Sequence, residues 1–345
     1  MENGQVSRIL VIELWNIGDI ILAMPFLARL RHVFPHASVT LLSRSFASEL
    51  FAGTGLVDEF ITADLAWTPA DGVPVPRRAA RLFSAARALR KRKFDLAFSS
   101  RPHARERFLM ALASADRRVG IAIGKADSLL TDRIAANGSR GHKTNDWLNL
   151  LAPFGGGHGK VFPRLYVSQA ERFWATEYLK RRGVGSEDQL VGIHPGASLP
   201  AKRWPIERFR DTASEIAKRP GVRVLAFAEP SGYGGELFDI PGVVGARVGL
   251  RQLIALIERC KLLVCNDSGP MHIAGALGVP TVAMFGSGID EWFAPLGEGH
   301  EILRAPSENV ATRGGLSGAV RRPDGIATSE VIDAVGRILL SDGRR

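Results

Sequence analysis

Residues 8–42 constrain the fold more than any other stretch of this chain. Residues 8–14 (RILVIEL) form an apolar, β-branched run that ends in a polar loop, 15–19. Ile20, Ile21, Met24, Leu27 and Leu30 then recur at helical spacing up to Phe34, and Pro35 stops the pattern. Residues 38–42 (SVTLL) form a second buried strand. Two strands joined through a helix pair in parallel, with a right-handed crossover.

The alternation continues. A helix is expected at 79–92, with Leu82, Phe83, Ala86 and Leu89 on its buried stripe. A strand at 94–99, a helix at 108–113, a short strand at 118–123 and a helix at 144–153 follow, then the glycine-rich stretch 155–159. A second series has helices at 168–182, within 204–218, and at 250–260 and 271–277. Its strands fall at 190–194, 222–228, 261–265 and 280–285, and a terminal helix at 329–340 ends the chain. This predicts an α/β protein of two doubly wound domains, 1–165 and 166–327, with a C-terminal helix and basic tail, 328–345, packing back on the first domain. No sequence repeat of 20–50 residues is visible. Ligands of such sheets bind beyond the carboxyl ends of the strands, so the loops of interest are 15–19, 195–202, 229–236, 266–270 and 286–290.

The 345 residues are 46% hydrophobic and 23% charged, which excludes wholesale disorder. A formal charge of +10 suggests an anionic partner: nucleic acid, phospholipid or a phosphorylated small molecule. Between Gly72 and Phe94 stand Arg77, Arg78, Arg81, Arg87, Arg90, Lys91, Arg92 and Lys93, with no acidic residue. No apolar run reaches the roughly 18–20 residues needed to cross a bilayer. The first residues lack a secretory pattern, and Cys260 and Cys265 are too few for a disulfide scaffold. Both features point to the cytoplasm. The two cysteines read as small buried hydrophobes.

No Walker loop, strand-following G-x-G-x-x-G after the first strand, H-E-x-x-H, paired C-x-x-C or D-x-D is present, so no metal site is expected. Four loops carry the candidates. Asn266-Asp267-Ser268-Gly269-Pro270-Met271-His272 turns a buried strand into a helix, where free N–H groups and the helix dipole favour an anion. Ser268 adds a hydroxyl, Gly269 admits a ligand to the backbone, and Asp267 fits an orienting role; capping by Asp267 or Ser268 is compatible with this. In His194-Pro195-Gly196-Ala197-Ser198 and the following Lys202, Ser198 and Lys202 can hold a diphosphate. Glu236, in EPSGYGGE, is either a ribose-binding carboxylate or a solvated loop residue. Asp19 is either the cap of its helix or a carboxylate that removes a proton from a hydroxyl nucleophile.

Taken together, these motifs resemble glycosyltransferase family 9, the ADP-heptose:lipopolysaccharide heptosyltransferases. The matching stretches are ILVIELWNIGDIILAMPFLARLRHVFP, LLTDRIAANGSRGHKTNDWLNLL, HPGASLPAKRWPIERF and NDSGPMHIAGALGVPTVAMFG. The resemblance implies a GT-B fold, two Rossmann-like domains facing across a cleft, the first holding the acceptor and the second the nucleotide-sugar. It implies inverting transfer without a metal or other cofactor, from a donor that by family default is ADP-heptose. Carried over by position, Asp19 is the catalytic base. Ser198, Lys202, Ser268 and Gly269 contact the donor diphosphate, while Glu236, Leu250, Asp267 and His272 contact its nucleoside or sugar. Arg101, His103 and Arg105 stand where the chain departs from the family's polar stretch after the strand at 94–99, and are the acceptor candidates. The partners implied are a nucleotide-sugar and an anionic glycolipid or glycan acceptor, with no nucleic acid.

Two other readings stay open on the residues themselves. A nucleotide-sugar epimerase or non-transferring binder of the same fold would lack the need for Asp19 as a base. A nucleic-acid-binding protein would share the high basicity. The basic segment 77–93 reads first as a helix with solvated charges; attraction to the anionic inner face of a membrane is the functional alternative.

Overall fold

The structure is a computed structural model that describes residues 6–63, 75–136, 141–156, 159–286, 290–306 and 323–341. Residues 287–289, the NGSR stretch 137–140, Gly157 and His158, and the basic tail after 341 lie outside the described residues, as do the side chains of Arg77, Arg78, Arg81 and Leu82.

The chain divides into two compact units, Met1–Arg164 and Leu165–Arg345. The first contains strands β1 (Arg8–Ile12), β2 (Ser38–Ser43), β3 (Glu59–Thr62), β4 (Leu96–Ser99), β5 (Arg117–Ala122) and β6 (Asp132–Ala135). Its helices are α1 (Ile17–Val33), α2 (Ala47–Leu50), α3 (Val75–Arg90), α4 (Ala104–Leu112) and α5 (Lys143–Asn149). All strands are parallel, in the order β3-β2-β1-β4-β5-β6.

The second unit contains α6 (Gln169–Lys180), β7 (Gln189–His194), α7 (Ile206–Ala217), β8 (Val222–Phe227), β9 (Val243–Ala246) and α8 (Leu250–Glu258). It continues through β10 (Leu262–Asn266), α9 (Gly269–Leu277), β11 (Thr281–Phe285), α10 (Asp290–Phe293), β12 (Glu301–Arg304) and α11 (Thr328–Ser341). Its parallel sheet runs β12-β11-β10-β7-β8-β9, the same order as the first sheet counted from its own first strand. Strand order reverses between β1 and β4 and again between β7 and β10, the point where doubly wound sheets open to ligands.

Central strands are apolar on both faces because helices cover both: Ile9, Leu10, Val11 and Ile12 of β1 are fully buried, as are Leu262, Leu263, Val264 and Cys265 of β10. The edge strands β3, β6, β9 and β12 have four residues each and only partial burial, so they leave no apolar run in the sequence.

Two expectations are corrected. Helix α1 starts at Ile17, because Asn16 takes the extended N-cap conformation and its N–H donates to Asp19 Oδ2 at 3.3 Å; Asp19 is the third helical residue and not the cap. Phe83 does not join the buried stripe of α3; it is 72% exposed, while Ala86 and Leu89 are buried as expected, with Ala85 beside them. Helix α11 packs within the second unit. Val331, Ala334, Val335 and Ile338 close the core of the second unit, with Trp204, Phe209 and Val264. An apolar stripe of that size is buried by the nearest matching surface, here α7 and the sheet beside it.

Among the described residues no helix is long and apolar enough to cross a membrane.

Candidate functional site

In the first unit, the reversal of strand order brings the loop after β1 beside the loop after β4. Asp19 Oδ1 accepts a hydrogen bond from the Arg101 guanidinium, and its other oxygen is held by the Asn16 N–H. Both carboxylate oxygens are therefore oriented, and side-chain exposures of 14% and 17% keep the Asp19–Arg101 pair largely out of bulk water. Burial alone would lower the Arg101 pKa, but Asp19 and Glu13 together hold it above its ordinary value.

Arg101 also lies over the Trp15 ring, 5.0 Å from its centroid, and His103 stacks on the same ring at 5.3 Å. Glu13, at the end of β1, is buried; its Oε1 accepts from the Trp15 N–H at 3.0 Å, and its Oε2 lies 4.0 Å from Arg101 Nε. Burial pushes the Glu13 carboxyl up to about 8, Arg101 opposes this, and the charge of Asp19 reinforces it.

A pocket of about 90 Å³ opens beside this pair, lined among others by Asp19, Ser100, Arg101, Ile121, Lys143 and Trp147. Of the three acceptor candidates only Arg101 lines it. His103 sits at the N-cap position of α4 without a capping hydrogen bond, its ring on Trp15, and Arg105 pairs at 2.8 Å with the buried Glu106. Glu13 went unread in the sequence; the available signal was an acidic residue closing an otherwise apolar buried strand.

The second unit repeats the arrangement. At its point of reversal the loop after β7 meets the loop after β10, and Lys202 Nζ donates to Asp267 Oδ2 at 2.6 Å. Asp267 is nearly buried, so its charge is compensated chiefly by Lys202. Asn266 ties the two loops together: its Oδ1 accepts from the Trp204 N–H at 3.0 Å and its Nδ2 donates to the Pro195 carbonyl at 2.7 Å. Trp204 is itself fully buried, with its indole N–H on the Ile326 carbonyl at 3.0 Å. The position of Lys202 thus rests on a rigid anchor two residues away.

Ser268 is the extended N-cap residue of α9, yet its side chain makes no capping bond; its Oγ is buried and has no hydrogen-bond partner among the described residues. Gly269 opens the helix, Pro270 follows without an N–H to satisfy, and His272 is buried one turn in. A buried hydroxyl, a helix start and an ammonium gathered at one loop pair can together bind an anion. Ser198 is exposed on the loop after β7.

The remaining donor candidates sit apart from this cluster. Glu236 accepts from the Gly234 N–H at 2.7 Å within a single 3₁₀ turn, and Leu250 opens α8. Among the described residues no hydrogen bond or ion pair joins either to Lys202, Ser198 or Asp267. The carboxylate that does approach the loop after β7 is Glu229, which accepts from Arg203 at 3.2 Å. A Cβ at Gly196 would lie 2.3 Å from Glu229 Oε1, so any larger residue there would make the Glu229 carboxylate move. Gly234 has φ +94°, and a Cβ there would meet the Phe227 carbonyl at 2.7 Å.

Among the described residues no group of three or more His, Cys, Asp or Glu side chains is arranged to hold a metal ion.

Two parallel sheets of identical strand order, each with its polar cluster at the reversal point, define a two-domain α/β protein of the GT-B class. A family model described as glycosyltransferase family 9 (heptosyltransferase) matches residues 82–316. The chain belongs to glycosyltransferase family 9. Lipopolysaccharide heptosyltransferase 2 of Escherichia coli (strain K12) is 30% identical over 155 residues, covering 42% of this chain and 43% of that protein. The match thus spans less than half the length of that curated relative. Among solved structures, the family 9 glycosyl transferase from Veillonella parvula DSM 2008 superposes with a TM-score of 0.80 at 25% identity, covering 99% of both chains. The E. coli ADP-heptose lps heptosyltransferase II has the same fold, with a TM-score of 0.74 at 21% identity over 98% of this chain and 100% of that one.

Proposed function

We propose that the protein transfers a heptosyl group from an ADP-linked donor to a hydroxyl of a lipopolysaccharide-core acceptor, with inversion and without a metal. The observation that carries this reading is the Lys202–Asp267 pair set beside the unpartnered Ser268 hydroxyl at the start of α9. The names of the family relatives supply heptose, ADP and lipopolysaccharide.

As the glycosidic bond breaks, the leaving nucleoside diphosphate gains negative charge. In this mechanism fixed donors stabilise it: the Lys202 ammonium, the Ser198 and Ser268 hydroxyls and the Gly269 N–H. Asp267 holds Lys202 in place until the diphosphate arrives. The acceptor hydroxyl attacks the anomeric carbon from the face opposite the leaving group and loses its proton to Asp19. Asp19 can receive it because Arg101 and the Asn16 N–H fix its two oxygens while each keeps a lone pair. The pocket beside Asp19, with Arg101 and Lys143 on its wall, is the acceptor site in this reading. His272 and Asp267 border the donor, and Glu236 and Leu250 are assigned to its nucleoside by family position alone.

Attachment to an anionic membrane surface fits one further feature. Phe83, Arg87 and Arg90 lie at i, i+4 and i+7 on the exposed face of α3, and Phe108 is 54% exposed on the neighbouring α4. An exposed aromatic among cations suits a bilayer interface, and this face would bring a cytoplasmic enzyme to a lipid-linked acceptor.

The test is a thermal-shift screen against ADP, GDP, UDP and TDP, each with and without EDTA. A ligand at 100 times its Kd adds about 2.7 kcal/mol of stability. ADP is expected to stabilise the protein equally in both conditions, and ADP-heptose turnover is expected to persist in EDTA. Stabilisation only by another nucleotide, or turnover that EDTA stops, overturns the reading.

A further inference from the structure

We infer that Glu13 is a positioning residue for Asp19: its buried carboxyl faces the guanidinium that Asp19 uses, so its protonation decides how firmly Arg101 stays with Asp19. The inference rests on the reading of Asp19 as the base.

Two buried polar atoms carry it. Glu13 Oε2 and Arg101 Nε face one another at 4.0 Å, and neither has a hydrogen-bond partner among the described residues. That separation is too long for a hydrogen bond and short enough to close by a small turn of either side chain. The other Glu13 oxygen is committed to the Trp15 N–H, and Arg101 lies over the Trp15 ring, so Glu13 also fixes the surface on which Arg101 rests. The Glu13 backbone is fixed as well, because its carbonyl accepts from Ser43 Oγ of β2 at 2.5 Å.

The charged groups around Glu13 are few. Asp19 approaches from α1, Arg101 from the loop after β4, and Glu106 with its partner Arg105 from α4. Arg101 therefore stands between the Asp19 and Glu13 carboxyls, while Arg105 is taken up by Glu106. With Glu13 protonated, the 4.0 Å contact stays open and Arg101 belongs to Asp19. With Glu13 ionised, the unpartnered Oε2 and Nε attract, and Arg101 is drawn off the base. Burial and the neighbouring carboxylates favour the protonated form up to about pH 8. The device thus keeps Asp19 oriented at neutral pH and loosens it in alkali.

The experiment compares kcat and donor KM against pH for wild type and Glu13→Gln, following ADP release from ADP-heptose with a truncated lipopolysaccharide core as acceptor. Wild-type kcat is expected to fall above about pH 8, while Glu13→Gln holds its pH 7 rate at least one pH unit further, with donor KM the same in both. Superimposable profiles overturn the proposal, as does a folded Glu13→Gln enzyme inactive at pH 7. A second readout needs no turnover: carbon-13 NMR of glutamate-labelled wild type is expected to show one carboxyl titrating near 8, shifted downward in Asp19→Asn. Absence of that resonance, or its indifference to Asp19→Asn, also overturns it. If Asp19→Asn still transfers, the base reading falls and this proposal with it; if Asp19→Asn is inactive but the two profiles coincide, this proposal falls alone.

Discussion

Lys202 and Asp267 are 65 residues apart in the chain and 2.6 Å apart in the structure, joined where the second sheet reverses its strand order. Arg101 and Asp19 occupy the corresponding place in the first sheet, 82 residues apart. In each unit a cation from one loop is paired to a helix-proximal carboxylate from the other. Lys202→Met removes one side of the second pair and leaves Asp267 buried and charged. The variant is expected to lose about 1–3 kcal/mol of stability, and turnover is expected to fall about 10²–10³-fold, or 2.7–4 kcal/mol of barrier. Adding Asp267→Asn should restore the melting temperature without restoring turnover. Recovery of both would show that Lys202 serves the fold alone.

Asp19→Asn keeps the shape of the first pair and removes the carboxylate proposed as the base. Transfer is expected to drop about 10²–10⁴-fold, with the Kd for ADP within about twofold of wild type by calorimetry. Near-normal transfer would rule out Asp19 as the base.

Asn266 makes two buried hydrogen bonds to two different segments. Asn266→Ala leaves the Trp204 N–H and the Pro195 carbonyl unpaired in a dry setting, and about 2–5 kcal/mol of stability is expected to go. Urea unfolding measures this. A loss under about 1 kcal/mol would mean that the two loops are held by packing alone.

His194, buried at the end of β7, has its pKa lowered to about 4 by burial. Its folded value lies below the unfolded value of about 6.5, so the unfolded chain takes up the proton first as pH falls. Stability from this residue is fully present above about pH 6.5 and is lost as pH drops towards 4, by up to about 3 kcal/mol. Chemical unfolding at a series of pH values should show that slope in wild type and a shallower one in His194→Gln. Equal slopes would place the acid sensitivity elsewhere.

Phe83 offers a check on membrane attachment. Flotation with anionic vesicles is expected to carry the wild-type protein at low salt and release it at high salt, while Phe83→Ser together with Phe108→Ser weakens flotation at constant charge. Equal flotation on neutral vesicles would argue against charge attraction, and binding to random RNA at physiological salt would revive the nucleic-acid reading.

Much of this protein was legible in residue order alone. Strands buried on both faces and helices with one apolar stripe write themselves as runs and periods, so β1, α1, β7, β10 and α9 were readable, as were the loops at the strand ends. Tertiary structure decided what those patterns leave open. Residue order could not say that Phe83 turns outward, because a helix with a short apolar stripe can rotate until its neighbours settle which side chains are buried. It could not send α11 to the second unit, since an amphipathic helix fits any complementary surface. Nor could it pair Asp19 with Arg101, or place Glu13 against the same guanidinium: those contacts depend on which strands lie side by side. Local periodicity specifies elements, whereas strand order, a property of the assembled sheet, specifies which charges meet.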